Sequence, residues 1–180
     1  MTKIINLFSG PGAGKSTQAA GLFYEMKRLG YNVEMPYEYP KLVAWEHNTH
    51  AIKDQLYITA NQHRNIARLY GQVDYVIVDS PILFGLIYKG RYDAVPEYPA
   101  IFYSNKFDEF IVDLHMHYDS INIYLERNAE FYDPNGRFQS MEDSLRIDKE
   151  ILTMLQANSI PYHTVKVDAD SIKKIIGLFK

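Results

Sequence analysis

Ser9-Gly10-Pro11-Gly12-Ala13-Gly14-Lys15-Ser16-Thr17 follows the apolar run Ile4-Ile5-Asn6-Leu7-Phe8 and precedes Ala19, Leu22, Phe23, Met26 and Leu29 at helical spacing. The pattern is strand, glycine-rich turn, helix, the local context in which backbone N–H groups converge on a phosphate. Its glycines give the main chain tight curvature and a close approach to the anion. Gly10, Pro11, Gly12, Ala13, Gly14, Lys15, Ser16 and Thr17 are therefore the expected phosphate contacts. Lys15 can reach the outer phosphates, and the Ser16 hydroxyl is placed to ligate Mg²⁺. Against the pattern GxxxxGK[ST], the first position is Ser9 instead of glycine, a change that a turn residue of negative φ tolerates.

A chain of 180 residues, 47% apolar and 23% charged, suits one folded domain over 1–180 and not a disordered segment. No apolar run of about 18 residues or more occurs, and the N-terminus enters a strand at once. Neither a membrane span nor a signal peptide is expected, and a cytoplasmic setting is permitted. The absence of cysteine removes disulfides, thiolate metal sites and a thiol nucleophile. A formal net charge of −3 argues against a broadly basic nucleic-acid binder, while leaving room for a local positive groove. Fifteen tyrosines are packing residues or stacking surfaces for bases.

Beyond the loop, apolar strand patterns at 31–35, 73–78, 121–125 and 164–167 alternate with helical ones. One long helix is expected over about 48–70, others over 107–115 and about 140–158, and a last one carrying Ile172, Ile175, Ile176 and Phe179. Ser140-Met141-Glu142-Asp143 resembles a capping box. The prediction is an α/β fold of three layers with a parallel, about five-stranded sheet.

Ligands of such sheets collect beyond the carboxyl ends of the strands. Asp79 ends the third strand, in the place of a carboxylate that holds Mg²⁺; it also suits a cap for the segment from Pro81, and the two roles are compatible. Glu38 follows the second strand, where it can accept a proton from an attacking hydroxyl or stand as a solvated loop residue. Arg127 and Arg137 bracket a polar segment with the turn sequence Asp133-Pro134-Asn135-Gly136. Such a mobile lid, about 127–139, can close over phosphates and neutralise transition-state charge. On the middle helix Gln55 and Gln62 share a face, and an amide there can pair with a base edge; Tyr57, Arg64 and Arg68 lie on the same helix. An ordinary exposed helix face is the alternative. Tyr37, Tyr39 and Trp45 can stack on a base or belong to the core.

Two motif matches carry no function. Asn105-Lys106-Phe107-Asp108 fits the guanine-reading NKxD, and 133–136 fits DxxG, but their order is reversed relative to GTPases and Asp133 follows no strand. The six histidines have no zinc-site spacing.

The run from Ile4 to Thr17, Gly21-Leu22-Phe23, Tyr37-Glu38-Tyr39, Lys41-Leu42-Val43, Trp45, Asp54-Gln55 and Tyr57-Ile58 resemble the P-loop kinases of the thymidylate and nucleoside kinase group, as do Gly71-Gln72-Val73-Asp74, Asp79-Ser80-Pro81 and Gly136-Arg137. More closely, the chain is similar to small bacteriophage kinases that phosphorylate 5-hydroxymethyluracil within DNA, a step in thymine hypermodification. The resemblance implies a P-loop NTPase fold, ATP and Mg²⁺ as cofactors, and Mg²⁺ held at Ser16 and Asp79. It implies Lys15, Glu38, Asp79, Arg127 and Arg137 as catalytic residues, with Glu38 as base. It also implies a middle-helix glutamine, Gln55 or Gln62, as the reader of the base; Tyr37 and Arg64 are further candidates toward the substrate from their chemistry. The expected partner is DNA containing a modified pyrimidine, or else a free deoxynucleoside or nucleoside monophosphate. The setting is cytoplasmic, in the host if the chain is viral, and the oligomeric state is open, with a homodimer one option. Ser80 stands where related kinases often carry arginine, which speaks against a monophosphate acceptor. A nucleotide-dependent ATPase or switch without an acceptor is the reading from another class.

Overall fold

The apolar run before the glycine-rich turn becomes β1 (Lys3–Phe8), the middle strand of a parallel sheet. The computed structural model describes residues 1–89, 91, 104–128 and 140–179. Among them β1 is joined by β2 (Val33–Glu34), β3 (Tyr75–Val78), β4 (Ser120–Glu126) and β5 (His163–Lys166) in the order β2-β3-β1-β4-β5. Every pairing is parallel, with Ile5 opposite both Ile77 and Ile121. The five expected strands are all present, β2 shorter than its apolar pattern.

Alternation along β1 feeds two cores. Ile5 and Leu7 face Leu22 and Met26 of α1 (Lys15–Arg28) and Ile175 and Ile176 of α8 (Ser171–Gly177). Ile4 and Phe8 face the other side, with Ile66 of α4 (Gln55–Ala67), Phe84 of α5 (Phe84–Tyr88), Ile111 of α6 (Asn105–Met116), and Ile147 and Ile151 of α7 (Met141–Ala157). This gives helix, sheet and helix layers, with both faces of the sheet dry. The buried Asn6 breaks the apolar run and donates to the Asn122 side chain at 3.0 Å, its register partner on β4. Asn122 in turn donates to the Pro161 carbonyl. Because β1 lies between β3 and β4, the crevice at the strand ends opens beside the loop that follows Phe8.

Two stretches differ from the expectation. The long middle helix is two, α3 (Thr49–Lys53) and α4, broken where Asp54 takes φ −78° and ψ 88° and its carboxylate accepts the Tyr57 N–H at 2.9 Å. Asp54 favours this local bond over continuing the helix. The stretch after β2, in which the sequence pattern indicates no helix, contains α2 (Tyr39–Trp45). Pro40 lies in its first turn, where the missing N–H costs nothing. No helix among the described residues is long and apolar enough to cross a membrane.

Candidate active site

The loop between β1 and α1 ends at Gly14, the helix N-cap, in the left-handed region at φ 86°. That conformation suits glycine, and Gly12 shares it at φ 80°. Gly14 offers α1 no side-chain cap, so the first-turn amides keep their donors for a ligand. A side chain built at Gly14 would meet nothing within 4 Å, so space is open there. An open cradle of amides at a helix N-terminus fits a chain of phosphates. Lys15 Nζ folds back along the loop, donating to the carbonyls of Ser9 (2.6 Å) and Gly10 (3.1 Å), and stands 5.6 Å from the Phe84 ring centre. Burial brings its pKa down to about 8, against the opposing pull of Glu38, Asp79 and Asp148. Polyphosphate charge would favour the protonated amine.

Those carboxylates come from three elements. Asp79 follows β3 directly, and Glu38 precedes α2 with extended backbone at φ −66°, ψ 102°. The two share a cleft whose lining includes Tyr37, Tyr39, Gln62, Asn65 and Ser80. Among the described residues no three acidic or histidine side chains gather as a metal cage. Ser16, in the first turn of α1, and Asp79, after β3, are the residues here that could hold Mg²⁺, which takes one or two protein oxygens and completes its shell with phosphates and water.

Gln62 is buried in this cleft, and its Nε2 donates to the Ser80 carbonyl at 2.9 Å and hydroxyl at 2.8 Å. Both amide hydrogens are thus engaged, and the oxygen is the face left to read a partner. Tyr37 is 78% exposed at the cleft. Tyr39 donates to, or accepts from, the Tyr57 hydroxyl at 2.5 Å, fastening α2 to α4. Burial and this bond push the Tyr39 phenol up to about 12. Gln55 and Arg64, expected toward the substrate, do not line the cleft. Gln55 Nε2 caps the Ile52 carbonyl at the α3–α4 junction, and Arg64, two residues past Gln62, turns to the exposed side of α4.

Arg127 differs from its expected place at the start of a mobile lid. Its side chain is 6% exposed and forms an ion pair with Asp148 of α7, Nε to Oδ2 at 2.9 Å. Nη2 donates to the Pro11 carbonyl at 2.7 Å. Arg137 and the rest of the lid, 129–139, lie outside the described residues. The sequence does not single out Asp148 as part of the site, and it places Ser80 at the end of the third strand without its bond to Gln62. The signal for Asp148 is a carboxylate on the stripe of Ser144, Ile147 and Ile151, where an acidic side chain needs a partner. Beyond the last strand, Ser171 donates to the Gln18 side chain at 2.6 Å, tying α8 to α1.

The model of the AAA domain family matches residues 4–171. No curated protein sequence matches the chain. Among solved structures, NadR protein in complex with NR superposes with a TM-score of 0.71 at 14% identity, over 94% of this chain and 47% of that one. The chain thus spans about half the length of NadR. Deoxyadenosine kinase from M. mycoides, with products dCMP and a flexible dCDP bound, superposes with a TM-score of 0.63 at 21% identity, over 98% of both chains. The same enzyme with bound dATP gives the same values. At these identities the likeness is one of fold, a five-stranded parallel α/β sheet of the P-loop NTPase type.

Proposed function

The chain belongs to the AAA domain family, and from that premise we propose that it is an ATP-dependent phosphotransferase acting on a hydroxyl of a nucleoside-type acceptor. The observation that carries this reading is the convergence of Glu38 and Asp79 on one cleft, both within electrostatic reach of Lys15. A bare ATPase has no need of a second carboxylate in the cleft that holds Asp79.

In this reading residues 1–180 act as one kinase domain. The amides of 12–17 and Lys15 bind the β- and γ-phosphates of ATP. Ser16 and Asp79 would hold Mg²⁺, which supplies neutralisation of phosphate charge. Glu38 orients the acceptor hydroxyl and takes its proton, and Gln62 and Tyr37 position the acceptor's ring. Arg137 adds charge from the lid. Positioning and electrostatics supply the rate, as phosphoryl transfer allows.

The acceptor we put first is the hydroxymethyl group of 5-hydroxymethyluracil in phage DNA. It is supported by the sequence resemblance and by exposed aromatic surface, Tyr37 at the cleft and Trp45 on α2. The base would enter flipped out or from a single strand. A free deoxynucleoside is the second reading, favoured by the fold likeness to deoxyadenosine kinase along the full length of both chains.

The test is transfer of label from γ-labelled ATP to DNA containing hydroxymethyluracil, to free deoxynucleosides and to monophosphates. Label in the DNA supports the first reading, and label in a deoxynucleoside moves the assignment to the second. Release of free phosphate with no labelled acceptor replaces both by an ATPase or switch.

A further inference from the structure

Asp148 is 6% exposed, one turn beyond Ser144 on the core face of α7. A carboxylate taken out of water this far is stable only if donors surround it. Here they come from the phosphate loop and from the end of β4. Oδ1 accepts the Gly10 N–H at 2.5 Å and lies 3.4 Å from the Ser9 hydroxyl, while Oδ2 accepts the Arg127 Nε–H at 2.9 Å. Arg127 Nη2 continues the chain to the Pro11 carbonyl at 2.7 Å. Three consecutive loop residues, Ser9, Gly10 and Pro11, are thus tied to two other elements through one buried ion pair. The bonds grip backbone, and a methyl group at Gly10 would collide with Asp148 itself, so the carboxylate is seated against the loop.

A loop with glycine at 10, 12 and 14 has many conformations to lose when it closes on phosphates. Fixing its first half beforehand removes part of that loss from the binding step. We propose that Asp148, acting with Arg127, is a positioning residue that presets the curvature of the phosphate loop for nucleotide binding. Ser9, the departure from the usual glycine, is the loop's hydroxyl partner for Asp148. Arg127 then acts from behind the loop and not from the lid. The proposal rests on the reading of 9–17 as a nucleotide site and is independent of the acceptor.

The experiment is calorimetric titration of the full chain with MgADP, comparing wild type, Asp148→Asn, Arg127→Gln and the double variant, alongside steady-state kinetics. An asparagine amide can accept from Gly10 or from Arg127 but meets one of them donor to donor. Each single variant is expected to weaken MgADP binding roughly tenfold or more. The double variant should be no worse than the weaker single one, because both remove the same brace. The acceptor KM should stay within about twofold, a split that a general loss of folding would not give. Arg127→Lys keeps the charge but cannot reach Asp148 and Pro11 together, so it should fall between wild type and Arg127→Gln. Should Asp148→Asn not fold, Arg127→Lys decides: several-fold weaker MgADP binding supports the brace, and unchanged affinity overturns it. Wild-type affinity in a folded Asp148→Asn, or losses that add in the double variant, overturn the proposal. So does a kcat loss in Arg127→Lys with nucleotide affinity intact. If wild type itself does not bind MgADP, the nucleotide-site reading falls and this proposal with it.

Discussion

Gln62 Nε2 sits 2.9 Å from the Ser80 carbonyl and 2.8 Å from its hydroxyl, across the junction of α4 and the end of β3. A carbonyl can only accept, so this bond fixes which way round the amide lies. Gln62 lines the cleft with Glu38 and Asp79, and its oxygen, an acceptor, is the end of the amide not held by Ser80. Ser80→Ala removes one of the two anchors and leaves the other. The expected result is a three- to tenfold higher acceptor KM, about the value of one hydrogen bond, with ATP KM unchanged. Steady-state kinetics with each substrate varied in turn check this, and an unchanged acceptor KM would remove Gln62 from acceptor binding.

Gly10 has no room for a side chain. A Cβ there would lie 2.6 Å from the Ser144 backbone oxygen and 2.8 Å from Asp148 Oδ1. Because one of these atoms belongs to a helix backbone, α7 or the loop must shift. Gly10→Ala should cost about 1–3 kcal/mol in urea unfolding and weaken ATP binding at the same time. A variant as stable as wild type would show that the loop does not press on α7.

The sheet was legible because its strands are short apolar runs bounded by turn residues, and all five appear where those runs lie. The phosphate loop was legible because its chemistry is local: glycines, one lysine and one hydroxyl at fixed spacing. That Glu38 and Asp79 lie in one cleft accords with the rule that ligands collect at strand ends, with the family resemblance adding weight to Glu38. Three features escaped for a common reason. Pro40 reads as a breaker until its place in the first turn of α2 is known, and Asp54 reads as a helix residue until its carboxylate takes the Tyr57 amide. Asp148 is one acidic residue in a helix until the loop at the other end of the chain supplies its donors. Each depends on a bonding partner or backbone angle that periodicity does not encode. Arg127 belongs to the same class, since adjacency to a polar segment suggested a lid where tertiary contact gives a buried ion pair.

The burial of His115 should make the fold sensitive to acid. It is 4% exposed on α6, and burial lowers its pKa to about 4. The unfolded imidazole takes a proton near pH 6.5, while the folded one stays neutral until about pH 4. Stability held above the unfolded value is therefore lost as pH falls between them. The loss from this group should be roughly 2 kcal/mol between about pH 7 and about pH 5. Urea unfolding at both pH values measures it, and His115→Gln should flatten the slope. Equal slopes in the two proteins would assign the acid sensitivity elsewhere.

If Glu38 and the phosphate loop form one phosphotransfer site, single-turnover transfer of label from γ-labelled ATP depends on both. Wild type should pass label to a hydroxyl acceptor. Glu38→Gln should bind MgADP as wild type does yet transfer about 10²–10⁴-fold more slowly. Transfer by Glu38→Gln at the wild-type rate would remove Glu38 from the chemistry, and label found only in free phosphate with wild type would show that the loop serves no acceptor.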